Sequence, residues 1–154
     1  MNHSFETSID IQQPLPVVWQ HLINTKEYQQ WNNIITSLSG SKRVGCDGVF
    51  IVHINDKSPI IWPIHYTTVK ENEELAWEAK LVSTSVFKTV HYFRLASIDV
   101  NTTRFVHGGA YSGMLGAIVC PLVKTSRLAL YGQFNRCLKI KCELLNNSTG
   151  YPYE

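Results

Sequence analysis

Residues 86–111 read VFKTVHYFRLASIDVNTTRFVHGGAY. Each half of this stretch alternates with a period of two, the signature of a strand with one face in water and the other covered. With Lys88 and Arg94 toward water, Phe87, His91, Phe93 and Leu95 face inward. With Arg104 outward, Phe105, His107, Gly109 and Tyr111 face inward in the second half. Asp99, Val100 and Asn101 form a tight connection, so the two halves pair as an antiparallel hairpin whose covered face carries two histidines among aromatic rings.

The pattern upstream is of the same kind. Residues 6–11, 34–40, 49–55, 60–70 and 75–82 read as strands, separated by turn signals such as the polar stretch Ser41 to Gly48 with Gly45, Asp47 and Gly48, Asp56-Lys57-Ser58-Pro59 and Glu71-Asn72-Glu73-Glu74. In 75–82, Glu78 and Lys80 outward send Leu75, Trp77, Ala79 and Leu81 inward. Residues 60–70 are apolar on both faces, and if Lys70 faces water then His65, Thr67 and Val69 face in. Pro14 and Pro16 end the first strand and open a short helix over 16–23, with Val18, Trp19 and Leu22 buried. Thr25 is placed to cap a second short helix, 28–31.

Downstream the period changes. Leu130, Phe134, Leu138 and Leu145, with Val119, Leu122 and Val123 before them, recur at helical spacing, and Pro121 marks an early turn or a kink. A strand, two short helices, a run of antiparallel strands and one long C-terminal helix make an α+β fold. Residues 1–145 read as a single domain and 146–154 as a polar tail.

Composition excludes several function classes. Fourteen Lys+Arg against twelve Asp+Glu give a net charge of +2, so there is no charge excess suited to nucleic acid. The most apolar stretch, 114–123, is interrupted by Gly116 and Pro121 and is half the length of a membrane span, so no stable membrane insertion is expected. The first residues, Met1 to Glu6, do not resemble an export signal, which makes the cytoplasm the expected compartment. Cys46, Cys120, Cys137 and Cys142 contain no CxxC pair and read as reduced thiols; neither a metal nor a cofactor is expected. Neither a GxSxG elbow nor Rossmann or P-loop glycine spacing occurs.

His65, His91 and His107 therefore point toward one aromatic interior. Imidazole titrates near neutral pH, so these groups suit either acid–base work or the orientation of a mostly apolar ligand; each also has a plain reading as a hydrogen-bonded core residue. Gly108 and Gly109 leave room beside His107. The oriented strands send no Asp or Glu inward, which argues against paired-carboxylate hydrolysis. Lys124, Arg127, Arg136, Lys139 and Lys141 form a basic run without an acid, readable as a solvated helix face or as a surface for anionic lipid or a protein partner. Arg127 and Tyr131 would meet a polar ligand group only if the helix phase turns them inward.

Ile9-x-Ile11, Pro14, Val18-Trp19, Leu22, Tyr28 and Trp31-Asn32 resemble the start of the SRPBCC superfamily, the START-like and birch-pollen-allergen-like group that includes polyketide cyclase/dehydrases and lipid-transport proteins. Leu75-x-Trp77, Thr103-Arg104-Phe105-x-His107-Gly108, Tyr111-x-Gly113 and Phe134-Asn135-x-x-Leu138-Lys139 with Glu143 continue the likeness in order, over roughly residues 5–145. The resemblance implies a helix-grip fold, a curved antiparallel sheet of about six to seven strands around the C-terminal helix with a cavity between them. It implies no single activity, since such proteins include carriers, sensors and enzymes. Asn33 stands where many relatives have proline, and Gly109 where many carry an acid after the His-Gly pair.

The reading that follows is a binder or carrier of a small hydrophobic molecule such as a lipid or polyketide. Trp77, Phe87, Phe93, Phe105 and Tyr111 would form its apolar wall, and His65, His91 and His107 would orient a carbonyl or hydroxyl. The alternatives are a cyclase, dehydratase or isomerase using His107 as proton acceptor with His91 or Tyr111 as donor, and a regulatory module that acts through a protein partner.

Overall fold

In a computed structural model that describes residues 3–55 and 57–147, β1 (His3–Ile11) pairs antiparallel with the last strand and not with the next one along the chain. The intervening segment, α1 (Leu15–Ile23), a 3-10 turn (Thr25–Glu27) and α2 (Tyr28–Trp31), carries the chain to the opposite edge of the sheet. From there β2 (Ile35–Leu38), β3 (Asp47–Val52), β4 (Ile60–Lys70), β5 (Glu74–Leu81), β6 (Phe87–Asp99) and β7 (Thr102–Ser112) return by successive hairpins. The result is one seven-stranded curled antiparallel sheet, ordered β1-β7-β6-β5-β4-β3-β2, with α3 (Met114–Asn147) lying along β1 and β7. This is the α+β helix-grip arrangement expected from the sequence. The polar tail expected at 146–154 lies, from residue 148 onward, outside the described residues.

Local chemistry explains the short helices. Pro16 sits in the first turn of α1, where its missing N–H leaves no hydrogen bond unmade. Val18, Trp19 and Leu22 are buried as expected. Thr25 does not cap α2; it begins the 3-10 turn, its hydroxyl donates to the Leu38 carbonyl at 2.7 Å, and it ties this turn to β2. Asn32 turns the chain out of α2. Its amide donates to the Tyr28 carbonyl at 2.8 Å, and its Oδ1 accepts from the Ile34 and Ile35 N–H groups at 3.0 and 2.8 Å.

Two further expectations fail. In β4 the inward residues are Ile64 and Tyr66, while His65 is exposed on the outer face against Asp47. A bulge between Tyr66 and Thr68 shifts the pairing with β5, so counting by twos back from Lys70 gives the wrong face. Leu122 is not part of the apolar seam of α3 but 78% exposed. The seam consists of Leu130, Phe134 and Leu138 in the later turns, with Val119 and Val123 half-buried earlier. The helix runs on through Pro121, and Met114–Leu144 is long and apolar enough by composition to cross a membrane, longer than the sequence reading allowed. In this fold its inner side is held by the sheet.

Candidate ligand cavity

β6 and β7 supply the back wall of the site, and their register places His91 opposite Gly109 and Phe93 opposite His107. Side chains at these positions project from the concave face toward α3, as the alternation of residues 86–111 requires. Toward the end where α1 and α2 pack, the space is filled. Phe93 stacks on Phe134 with centroids 5.4 Å apart and planes at 11°, Phe105 lies beside them, and Tyr28 and Trp31 reach Phe134 at 5.8 and 5.2 Å. Toward the first turns of α3 a cavity of about 270 Å³ remains open. Phe50 and Val52 of β3, Trp62 of β4 and Trp77 of β5 line one side, and Leu115, Val119, Val123, Arg127 and Tyr131 of α3 line the other.

Of the residues singled out from sequence, Trp77, Phe87, His91, His107 and Tyr111 line this cavity. Phe93 and Phe105 do not; they belong to the filled end, covered by Phe134. His65 faces the opposite side of the sheet. Sequence reasoning left Arg127 and Tyr131 undecided because the phase of α3 was open, and it assigned no role to Asn135. The i, i+4 relation of Tyr131 to Asn135 and to Arg127 is the signal that groups them on one face once Phe134 is fixed inward.

The polar groups form a directed chain. His107 Nδ1 is 2.9 Å from Asn135 Oδ1, His107 Nε2 is 2.6 Å from His91 Nε2, and His91 Nδ1 is 3.5 Å from the Tyr131 hydroxyl. An amide oxygen only accepts, so the His107 proton sits on Nδ1 and its Nε2 is a lone pair. His91 therefore donates from Nε2, and its own Nδ1 is left to accept from Tyr131. Ring stacking fixes the three rings of the chain: His91 lies on Trp77 (4.5 Å, 12°) and His107 on Tyr131 (3.9 Å, 9°).

Burial sets the charge of this chain. His91 is held well below the usual imidazole range by desolvation first, with His107 and Arg127 adding repulsion. Desolvation lowers His107 as well, outweighing the Asn135 side chain and the Tyr131 carbonyl, which favour its proton. The Tyr131 and Tyr111 hydroxyls are pushed upward by the same loss of water, Arg127 opposing in both cases. At neutral pH the histidines and tyrosines of the cavity are thus all uncharged.

Two glycines make room for this arrangement. A Cβ on Gly109 would stand 2.8 Å from the Tyr131 hydroxyl, so the tyrosine tip occupies the volume a side chain would need. On the other face, a Cβ on Gly108 would meet the Tyr92 ring at 2.2 Å. Tyr92 lies flat over that position, its hydroxyl donating to Glu6 Oε2 at 2.9 Å and its ring beneath the Arg94 guanidinium.

No protein-family model matches the sequence, and no curated protein matches it. Solved structures do match. The chain superposes on the Zhui aromatase/cyclase from Streptomyces sp. R1128 with a TM-score of 0.72 at 11% identity, covering 99% of this chain and 100% of that one. A START superfamily protein from Mycobacterium smegmatis gives 0.72 at 15% identity, over 93% and 99% of the two chains. The di-domain ARO/CYC BexL from the BE-7585A biosynthetic pathway gives 0.70 at 13% identity, over 94% of this chain and 48% of that one. The protein has the START-like, helix-grip fold that these structures share.

Proposed function

We propose that this protein binds a small, mostly apolar molecule in the cavity beneath the first half of α3, with residues 1–145 acting as one domain. The observation that carries the reading is a preorganised, uncharged polar chain, Tyr131–His91–His107–Asn135, on the wall of an otherwise apolar and aromatic chamber. His107 has both ring nitrogens engaged, and His91 is a weaker base than free imidazole. Such groups hold Tyr131 in place rather than exchange protons with a ligand, since an efficient general base has a free nitrogen and a pKa near the working pH. The Tyr131 oxygen, 3.5 Å from His91 Nδ1, lies on the cavity wall where its lone pairs can accept from a ligand hydroxyl or amide. A volume of about 270 Å³ falls just below the range usual for ligand pockets, roughly 300–1,000 Å³, and favours a compact ring system or short chain over a full-length lipid.

Native mass spectrometry of freshly purified protein, followed by organic extraction, tests the reading. The expected result is a retained adduct on the order of a few hundred daltons. Ala79→Phe, which fills the cavity from β5, is expected to lose the adduct while keeping a cooperative melt. An adduct that survives Ala79→Phe unchanged would place the ligand elsewhere and remove the reading.

A further inference from the structure

The basic run on α3 resolves into unlike parts once the helix phase is fixed. Lys139 pairs with Glu143 at 3.0 Å, and Lys141 approaches Glu27 at 3.8 Å. Lys124 is exposed. Arg127 alone among these five residues lines the cavity, one turn after Val123 and one turn before Tyr131. Elsewhere arginines at the sheet surface are matched by acids, Arg94 by Glu74 and Arg104 by Asp10. Among the described residues Arg127 has no ion pair and no Asp or Glu lines the cavity. Its guanidinium sits beside the Tyr111 hydroxyl, which burial keeps protonated and therefore able to donate. A half-buried guanidinium facing an apolar chamber without a carboxylate is an incomplete pair.

We propose that the ligand of this cavity is a monocarboxylate on an apolar body, its carboxylate gripped by the Arg127 fork with the Tyr111 hydroxyl as a further donor. This deepens the reading above and rests on it. Two features select the carboxylate. The planar guanidinium presents parallel N–H donors that match two carboxylate oxygens. A phosphate monoester would bring nearly two negative charges, and no second cation among the described residues lines the cavity to meet them. Arg127 is only half-buried, so the charged head stays where water reaches while the apolar body lies against Trp77, Phe87 and Trp62.

The test uses calorimetric titration of the full chain with a matched pair of probes, 2-naphthoate and 2-naphthylmethanol. Wild type is expected to bind the acid about tenfold or more tightly than the alcohol, the scale of one charge-assisted contact. Arg127→Gln is expected to erase that preference, the acid losing about tenfold more affinity than the alcohol. Arg127→Lys, which keeps the charge but loses the fork, is expected to retain part of the preference and stands in if Arg127→Gln does not fold. Equal weakening of both probes, or no preference in wild type, would overturn the carboxylate assignment and leave the cavity reading standing. Failure of both probes to bind wild type would overturn the cavity reading, and this one with it.

Discussion

The two ends of the space beneath α3 are built from the same hairpin and the same helix, yet one is solid and the other hollow. At the solid end Phe93 and Phe105 from β6 and β7 meet Phe134, and Tyr28 and Trp31 of α2 close over Phe134 from the side. At the hollow end Phe87 and Tyr111 come from the same two strands and stack on each other at 5.6 Å, but what faces them across α3 is Val119, Val123 and the Arg127 stem. No short helix reaches that far. The difference teaches that a helix gripped by a curved sheet leaves a gap by default, and that the gap becomes core only where a third layer brings aromatic volume to it. The His91–His107 pair stands at the boundary, stacked between Trp77 and Tyr131 on one side and edge-on to Phe93 and Phe134 on the other.

The sharpest way to break this comparison is a pair of truncations on α3. Phe134→Ala removes a fully buried ring at the solid end and is expected to destabilise by about 4 kcal/mol in chemical denaturation. Val119→Ala, on the wall of the hollow end, should cost no more than about 1 kcal/mol, because the lost methyls bordered open volume. Equal losses would show that the cavity end is packed as tightly as the other.

The boundary pair sharpens it through pH. The folded-state pKa of both histidines lies below the unfolded value near 6.5, so the unfolded chain binds more protons once the pH falls under that value. Stability should therefore be level above about pH 7 and decline below about 6.5, each histidine adding at most about 1.4 kcal/mol per pH unit. His91→Phe should roughly halve that slope, and a slope unchanged by it would mean that other groups carry the acid sensitivity.

The two adjacent glycines should separate stability from binding. Gly108→Ala drives a methyl into the Tyr92 ring and its Glu6 and Arg94 contacts, at about 2 kcal/mol, without effect on ligand affinity. Gly109→Ala sets a methyl against the tip of Tyr131 and within 3.2 Å of the Val90 carbonyl, should cost about 1 kcal/mol or more, and should also weaken binding by displacing the hydroxyl from His91. The smallest effect belongs to Val82, a β-branched residue at φ 64° and 86% exposed between β5 and β6. Val82→Asn is expected to raise stability by about 0.5 kcal/mol or more by relieving that backbone strain, read as a modest rise in Tm.

The sequence by itself determined the element order, because strand and helix periods are local and the chain states them plainly from residue 6 to residue 138. It also determined the inward face of β5, β6 and β7, since a strand with charges on one side leaves its partners a single choice. His91, His107, Trp77, Phe87 and Tyr111 were legible for that reason. Tertiary structure decided the rest. Parity along β4 broke at a bulge, which is visible only as a mismatch with β5, and His65 went outward with it. Phe93 and Phe105 have the alternation of a cavity wall, but whether they line space or fill it depends on how far α2 reaches across the sheet. The phase of α3 stayed open because its early turns are apolar nearly all round, so periodicity selected no face there. Only the docking of Phe134 against Phe93 sets the rotation that turns Arg127 and Tyr131 inward and leaves Leu122 in water.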